Sequence, residues 1–147
     1  MRIATIFPFA LFVVLAAAAA SAEEIGQIKT AKGNVSVERA GQSLVGSVGL
    51  RLEAADVVKT GADGTAGITM ADNSLLSVGP NSILALSRFE YEPATSQGRL
   101  DAQLQRGTLA VVSGRLAKQS PQAMTVRTPS ASLAVRGTEF VVAAQGD

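Results

Sequence analysis

Three aspartates, Asp56, Asp63 and Asp72, have the strongest claim to chemistry in this chain. Carboxylates placed along short turns can pair as general acid and base, as in glycoside hydrolysis, or offer oxygen atoms to calcium. Neither pattern is completed here. A calcium loop repeats its oxygen ligands at fixed spacing, and the sequence holds no EF-hand or nonapeptide pattern. A carboxylate-pair hydrolase also needs a lined cleft for its sugar, and this chain has no tryptophan and one tyrosine, Tyr91. The absence of cysteine removes thiol nucleophiles, disulfides, zinc–thiolate sites and lipid attachment through a lipobox. The absence of histidine removes the commonest metal ligand and general base. No Ser/Lys motif takes their place. The aspartates therefore read as turn formers, and no catalytic residue, cofactor or metal is expected.

The other charged feature is Arg136, close to Glu139 in the stretch Met124 to Val142, MTVRTPSASLAVRGTEFVV. Arg136 reads as a charge that ties down a bend, with partner contact as the alternative. Proline donates to no ladder and holds its predecessor extended, so Thr128-Pro129 reads as a strand-edge corner. Leu133 and Val135 share one parity, while Phe140 and Val142 share the other. A β-bulge at Gly137 or Thr138 would return all four to one apolar face.

The elements that must carry these residues start after the first 22. Arg2, an apolar run from Phe7 to Ala20 and the small residues Ala20-Ser21-Ala22 make a secretory signal peptide, with cleavage expected between Ala22 and Glu23. An uncleaved anchor is the alternative. Removal of Arg2 with residues 1–22 leaves 12 basic against 12 acidic residues. A neutral chain without a Lys/Arg cluster has no electrostatic footprint for nucleic acid, and no stable membrane insertion is expected after cleavage. Residues 23–147 carry no linker-like stretch and read as one domain.

Along that domain, turn signals recur about every 8–12 residues and no sustained helical periodicity is present. Ile25–Lys29 and Val35–Glu38 read as a hairpin across Ala31-Lys32-Gly33-Asn34, which outweighs the formal glycosylation sequon Asn34-Val35-Ser36. Gly41, Gly46 and Gly49 mark a loop-rich passage. Asp56–Lys59 reads as a short strand. Ala66, Ile68 and Met70 alternate, as do Leu76 and Val78, with turns at Asp63-Gly64, Asp72-Asn73 and Gly79-Pro80-Asn81. Arg88–Tyr91 is a polar–aromatic strand. Leu100, Ala102 and Leu104 are expected to turn at Gln105-Arg106-Gly107 and return as Leu109 and Val111. Residues 114–122 read as a polar connection with a helical turn. The expected fold is all-β, many short strands in a β-roll or solenoid-like stack, with a β-sandwich as the alternative.

In their order along the chain these pieces resemble the periplasmic domain of the FecR family, ligand-signal regulators named for iron-citrate transport. The resemblance rests on Gly33-Asn34-Val35, Asp56-Val57-Val58-Lys59-Thr60-Gly61, Asp63-Gly64-Thr65-Ala66, Asp72-Asn73-Ser74-Leu75-Leu76, Gly79-Pro80-Asn81-Ser82 and Gly107-Thr108-Leu109. It ends on Thr128-Pro129 and Val135-Arg136-Gly137-Thr138-Glu139-Phe140, the most specific segment, and covers roughly residues 30–143. It implies a periplasmic or secreted bacterial module that binds or senses a partner, an envelope or outer-membrane protein, without being an enzyme. Relatives in iron signalling carry a cytoplasmic arm and a membrane span, where this chain is expected to carry a signal peptide. Direct contact with a cytoplasmic sigma factor is therefore not expected. The family commonly continues past the R-G-T strand into a further hairpin, where this sequence stops at Gln145-Gly146-Asp147, so the strand Glu139 to Ala143 is expected to be an open edge. Glu139, Val141 and Ala143 are its partner-binding candidates, and self-association through it is the structural alternative. Thr128, Pro129, Arg136, Gly137, Thr138 and Phe140 are expected to be structural.

Overall fold

The structure is a computed structural model and describes residues 23–134 and 139–145, with the side chain of Pro121 left aside. Arg136, Gly137 and Thr138, the expected bulge and the cleavage-site residue Ala22 lie outside the described residues; Glu23 is exposed at the start of the described chain.

The all-β expectation holds, and the strands form one curled open sheet. One half of the curl contains β1 (Glu24–Lys32), β4 (Arg51–Glu53), β6 (Thr65–Met70), β7 (Leu75–Val78) and β12 (Glu139–Ala144). The other half contains β2 (Val35–Arg39), β3 (Gln42–Val45), β5 (Val57–Thr60), β8 (Ile83–Glu92), β10 (Met124–Arg127) and β11 (Ser132–Ala134). The long strand β9 (Gln97–Val112) belongs to both. The spatial order is β3-β2-β5-β8-β9-β7-β6-β1-β4, with β10 and β12 also paired to β9. Pairing is antiparallel except between β9 and β10.

The halves meet along a line of bends. The chain crosses it from β1 to β2 at Gly33-Asn34, from β5 to β6 at Gly61–Gly64, from β7 to β8 at Gly79–Ser82, and within β9 at Gly107. Neighbouring bends are joined by main-chain bonds: Gly61 N–H donates to Asn34 O at 2.9 Å and Asn81 N–H to Gly61 O at 3.0 Å. Ser82, fully buried, binds the next pair, since its N–H donates to Thr60 Oγ1 at 2.9 Å and its Oγ accepts Thr108 N–H at 3.1 Å. Turn-rich segments thus become creases in a continuous sheet, and their backbone groups find partners in the adjacent bend.

Two expected hairpins are corrected by this layout. β1 and β2 do not pair with each other; β1 pairs with β4 and β6, and β2 with β3 and β5. The Gly33-Asn34 bend carries the chain onward across the crease. Nor does the chain reverse at Gln105–Gly107. There the register slips between Leu84↔Leu104 and Ile83↔Arg106, and Gly107 takes φ +98°, so buried parity changes from Leu104 to Leu109 without a reversal. The loop-rich passage after Arg39 also contains a strand. Ala40 and Gly41, both at positive φ (51° and 78°), make the two-residue turn that starts β3.

The inner face carries the core. Ile28, Ile68, Leu76 and Leu109 from one half meet the buried set Val37, Val58, Leu84 and Leu104 from the other. Each such side chain contributes about 1.5–3 kcal/mol when taken out of water. The expected helical turn is α1 (Arg115–Gln119), whose Leu116 is fully buried, followed by a 3-10 turn at Pro121–Ala123. Thr128-Pro129 forms the predicted corner, closed by Thr128 N–H to Ala131 O at 2.8 Å, and β11 folds back on β10. Leu133 departs from the single apolar face: β11 pairs only with β10 among the described residues, and Leu133 is 40 % exposed.

Candidate partner-binding edge

The aspartates are fixed by bonds to their own surroundings. Asp56, 1 % exposed, accepts Arg39 Nε at 3.0 Å, Arg39 Nη2 at 2.8 Å and the Glu53 N–H at 2.8 Å. Arg39 also donates to Arg51 O at 2.9 Å and lies 3.2 Å from Glu53, so it ties β2, the neighbour of the end strand β3, to the opposite end strand β4. The hydrogen bond to Asp56 raises the pKa of Arg39 above its ordinary value against the opposing effect of burial. Asp72, fully buried, accepts the Ser74 N–H at 3.0 Å, Ser74 Oγ at 2.8 Å and the Leu116 N–H at 3.2 Å. It locks the β6–β7 turn onto the start of α1. Asp63 is exposed and accepts the Asn34 N–H at 3.3 Å. Among the described residues no group of three or more acidic side chains is placed to hold a metal ion.

β12 pairs with β9 along six residues, from Glu139↔Val112 to Ala144↔Gly107, and has no strand on its other side among the described residues. Val142 and Ala144 turn inward and are buried, and Phe140 is half-buried against the core. Glu139, Val141 and Ala143 face outward and are exposed, Val141 at 73 %. The alternation is the pleat expressed on a sheet with one wet face.

Other edges are shorter or guarded. β4 has three residues including Arg51 and Glu53, β11 has three, and β3 has four. The part of β8 beyond its pairing with β5 carries Arg88, Glu90 and Glu92 and runs into Pro93. Charges, proline and brevity are the usual protections of an edge, and β12 has only Glu139 at one end.

Beside this edge the outer face of the sheet is hollowed. The cross-strand row Thr30–Gly67–Ser77–Ala110–Val141 runs over five strands through successive register pairs. Small side chains in its middle leave a shallow groove of about 510 Å³, with Lys32 and Thr30 at one end and Val141 at the other. Sequence reasoning did not single out Gly67, Ser77 or Ala110. Their signal was present: each sits at the outward parity between buried Ala66, Ile68, Leu76, Val78, Leu109 and Val111.

Among the described residues no helix is long and apolar enough to cross a membrane. Residues 56–147 match the family model described as FecR protein, a span that includes the bends at Gly79–Ser82 and Gly107, the Thr128-Pro129 corner and β12. No curated protein and no solved structure matches the chain.

Proposed function

The chain belongs to the FecR family, a family of envelope signalling and regulation, and from that premise we propose that it is an exported, non-enzymatic module that captures a protein partner by strand addition on β12. One observation carries this reading: a six-residue strand with a single pairing neighbour among the described residues and an outward valine at 73 % exposure. An extended segment laid along it gains main-chain hydrogen bonds, and its outward side chains sit beside Glu139, Val141 and Ala143. Family membership supports a sensing role, and the partner is an envelope or outer-membrane protein. With a cleaved leader between Ala22 and Glu23, the module is periplasmic or secreted and is not itself the relay to a sigma factor. The aspartates support the non-enzymatic reading, because Asp56 and Asp72 are buried and each accepts three internal hydrogen bonds.

The test is site-specific photo-crosslinking in the periplasm of the tagged protein. A photoreactive residue at position 141 should trap one defined envelope protein, and the same residue at Val45, exposed at 79 % on β3, should not. Equal trapping from both positions, or none from 141, rejects strand addition at this edge.

A further inference from the structure

We propose that two copies of this chain pack face to face through the outer surface of the half-sheet β1-β6-β7-β9-β12. This goes beyond the strand-addition reading, because it uses a face of the sheet and not the free side of β12. The two outer faces of the curl differ in charge. That of the other half carries the ion pairs Lys59–Glu38, Arg88–Glu90 and Arg99–Asp101. On this half, β6, β7 and residues 107–112 of β9 hold no charged residue, while Leu75 and Val141 stand 44 % and 73 % exposed. Charge is confined to the flanks, with Lys29 and Lys32 on β1 and Glu139 on β12, none of them in an ion pair among the described residues. A solvated sheet face normally mixes charges throughout; a neutral middle between opposite charges is the composition of a face that becomes covered.

Strand order makes this face complementary to itself. A two-fold axis parallel to the strands and over β7 lays β12 of each copy on β1 of the other, in the aligned packing of two sheets. The row Gln27–Thr69–Leu75–Val112–Glu139 then meets itself reversed. Glu139 comes over Gln27 of the second copy, whose Oε1 accepts the Lys29 ammonium at 2.9 Å, and the two Leu75 side chains lie together at the axis. In the next row Ser77 is at the axis, and the protruding Val141 enters the Thr30–Gly67 end of the second copy's groove. The dimer thus holds two Glu139–Lys29 pairs, which as exposed pairs set orientation more than affinity. Five strands about 4.8 Å apart and three outward rows about 6.8 Å apart give a face about 24 Å by 20 Å, or about 1,000 Å² over both copies. That is the lower limit of a specific interface, so the dimer is reversible. Residues 23–147 carry equal numbers of basic and acidic side chains, and no net repulsion opposes it.

In sedimentation the exported protein should show a reversible monomer–dimer equilibrium; a wild type that stays monomeric at several hundred micromolar overturns the proposal. Ser77→Arg sets two like charges at the axis and should raise the dissociation constant about ten-fold or more with the unfolding midpoint unchanged. Gln103→Arg, on the other outer face, should leave it within about two-fold, and equal effects of the two overturn the proposal. Glu139→Lys and Lys29→Glu should each weaken the dimer about five-fold, and the double variant should return to within about two-fold of wild type. A double variant weaker than either single one overturns the pairing of these flanks. A photoreactive residue at position 141 should give, besides any envelope partner, a self-adduct joined to Thr30–Lys32 of the second copy; a self-adduct joined to β12 overturns the face-to-face arrangement. An envelope protein trapped from position 141 of a chain that never dimerises removes this inference and leaves strand addition standing. A dimer without any envelope protein trapped does the reverse.

Discussion

Gly107 and Ser82 meet at the crease of the sheet, and Gly107 cannot take a side chain without moving Ser82. Gly107 has φ +98°, and a Cβ there would run into the Ser82 hydroxyl and lie 2.5 Å from its Cα. Two costs add in Gly107→Ala: about 1–2 kcal/mol for the left-handed backbone and about 1–3 kcal/mol for the overlap. Gly41→Ala is the control, because Gly41 is also at positive φ (78°) but a Cβ there meets nothing within 4 Å. Urea denaturation should show Gly107→Ala losing about 3 kcal/mol and Gly41→Ala about 1–2 kcal/mol. Equal losses would mean that the crease is not close-packed.

That crease also shows what could be read from the sequence and what could not. The alternation of Ala66, Ile68 and Met70, and of Leu76 and Val78, gives the buried face correctly because each strand needs only its own pleat. The parity change between Leu104 and Leu109 was also visible. A turn and a kinked, continuing strand produce the same local change, and only the partners of β9 decide between them. Gly33-Asn34 poses the same ambiguity, since turn residues specify a bend and not the side to which the chain goes. Leu133 fails for a different reason: its apolar type suits a core position, but β11 pairs only with β10 among the described residues and Leu133 is left 40 % exposed. The bonds from Asp72 and Ser74 to the Gly114–Leu116 corner join residues about forty positions apart, which no local pattern announces.

Asp72 is expected to matter for folding and not for metal or catalysis. Asp72→Ala would leave the Ser74 N–H and Leu116 N–H buried without acceptors, at about 1–3 kcal/mol each. Asp72→Asn keeps one acceptor oxygen and should cost less. Asp63→Asn, at an exposed turn, should change stability by less than about 0.5 kcal/mol. Thermal unfolding with and without calcium and with a chelator checks this. A calcium-dependent midpoint lost in Asp72→Asn would show that the carboxylate serves an ion.

Arg39 should be needed for stability and indifferent to ordinary pH. Arg39→Met leaves the buried Asp56 carboxylate with the Glu53 N–H but no cation, a change of about 3 kcal/mol or more. The pKa of Arg39 is raised in the folded state. Its contribution is therefore complete below the unfolded pKa of arginine and is lost only as pH rises through the still higher folded value. The chain also has no histidine and no cysteine. The Arg39 contribution therefore leaves the wild-type urea midpoint unchanged from about pH 6 to 9. A slope above about 0.5 kcal/mol per pH unit in that window would contradict this assignment.

The two faces of β12 should respond oppositely to truncation. Val142 is 5 % exposed and faces the core, so Val142→Ala removes two buried methyl groups and opens a small cavity. On an edge strand, where neighbours relax into the space, the expected loss is about 1–2.5 kcal/mol. Val141 is 73 % exposed, and Val141→Ala should cost less than about 0.5 kcal/mol when measured at low micromolar concentration. Capture read with the photoreactive residue at position 143 should rank the two positions in reverse: Val141→Lys, with its bulky charge on the outer face of the edge, should lower partner trapping at least ten-fold, while Val142→Ala should leave trapping intact at temperatures where it is folded. If Val141→Ala destabilised as much as Val142→Ala, the pleat of β12 would be reversed and the outward row Glu139, Val141 and Ala143 would not be the surface a partner meets.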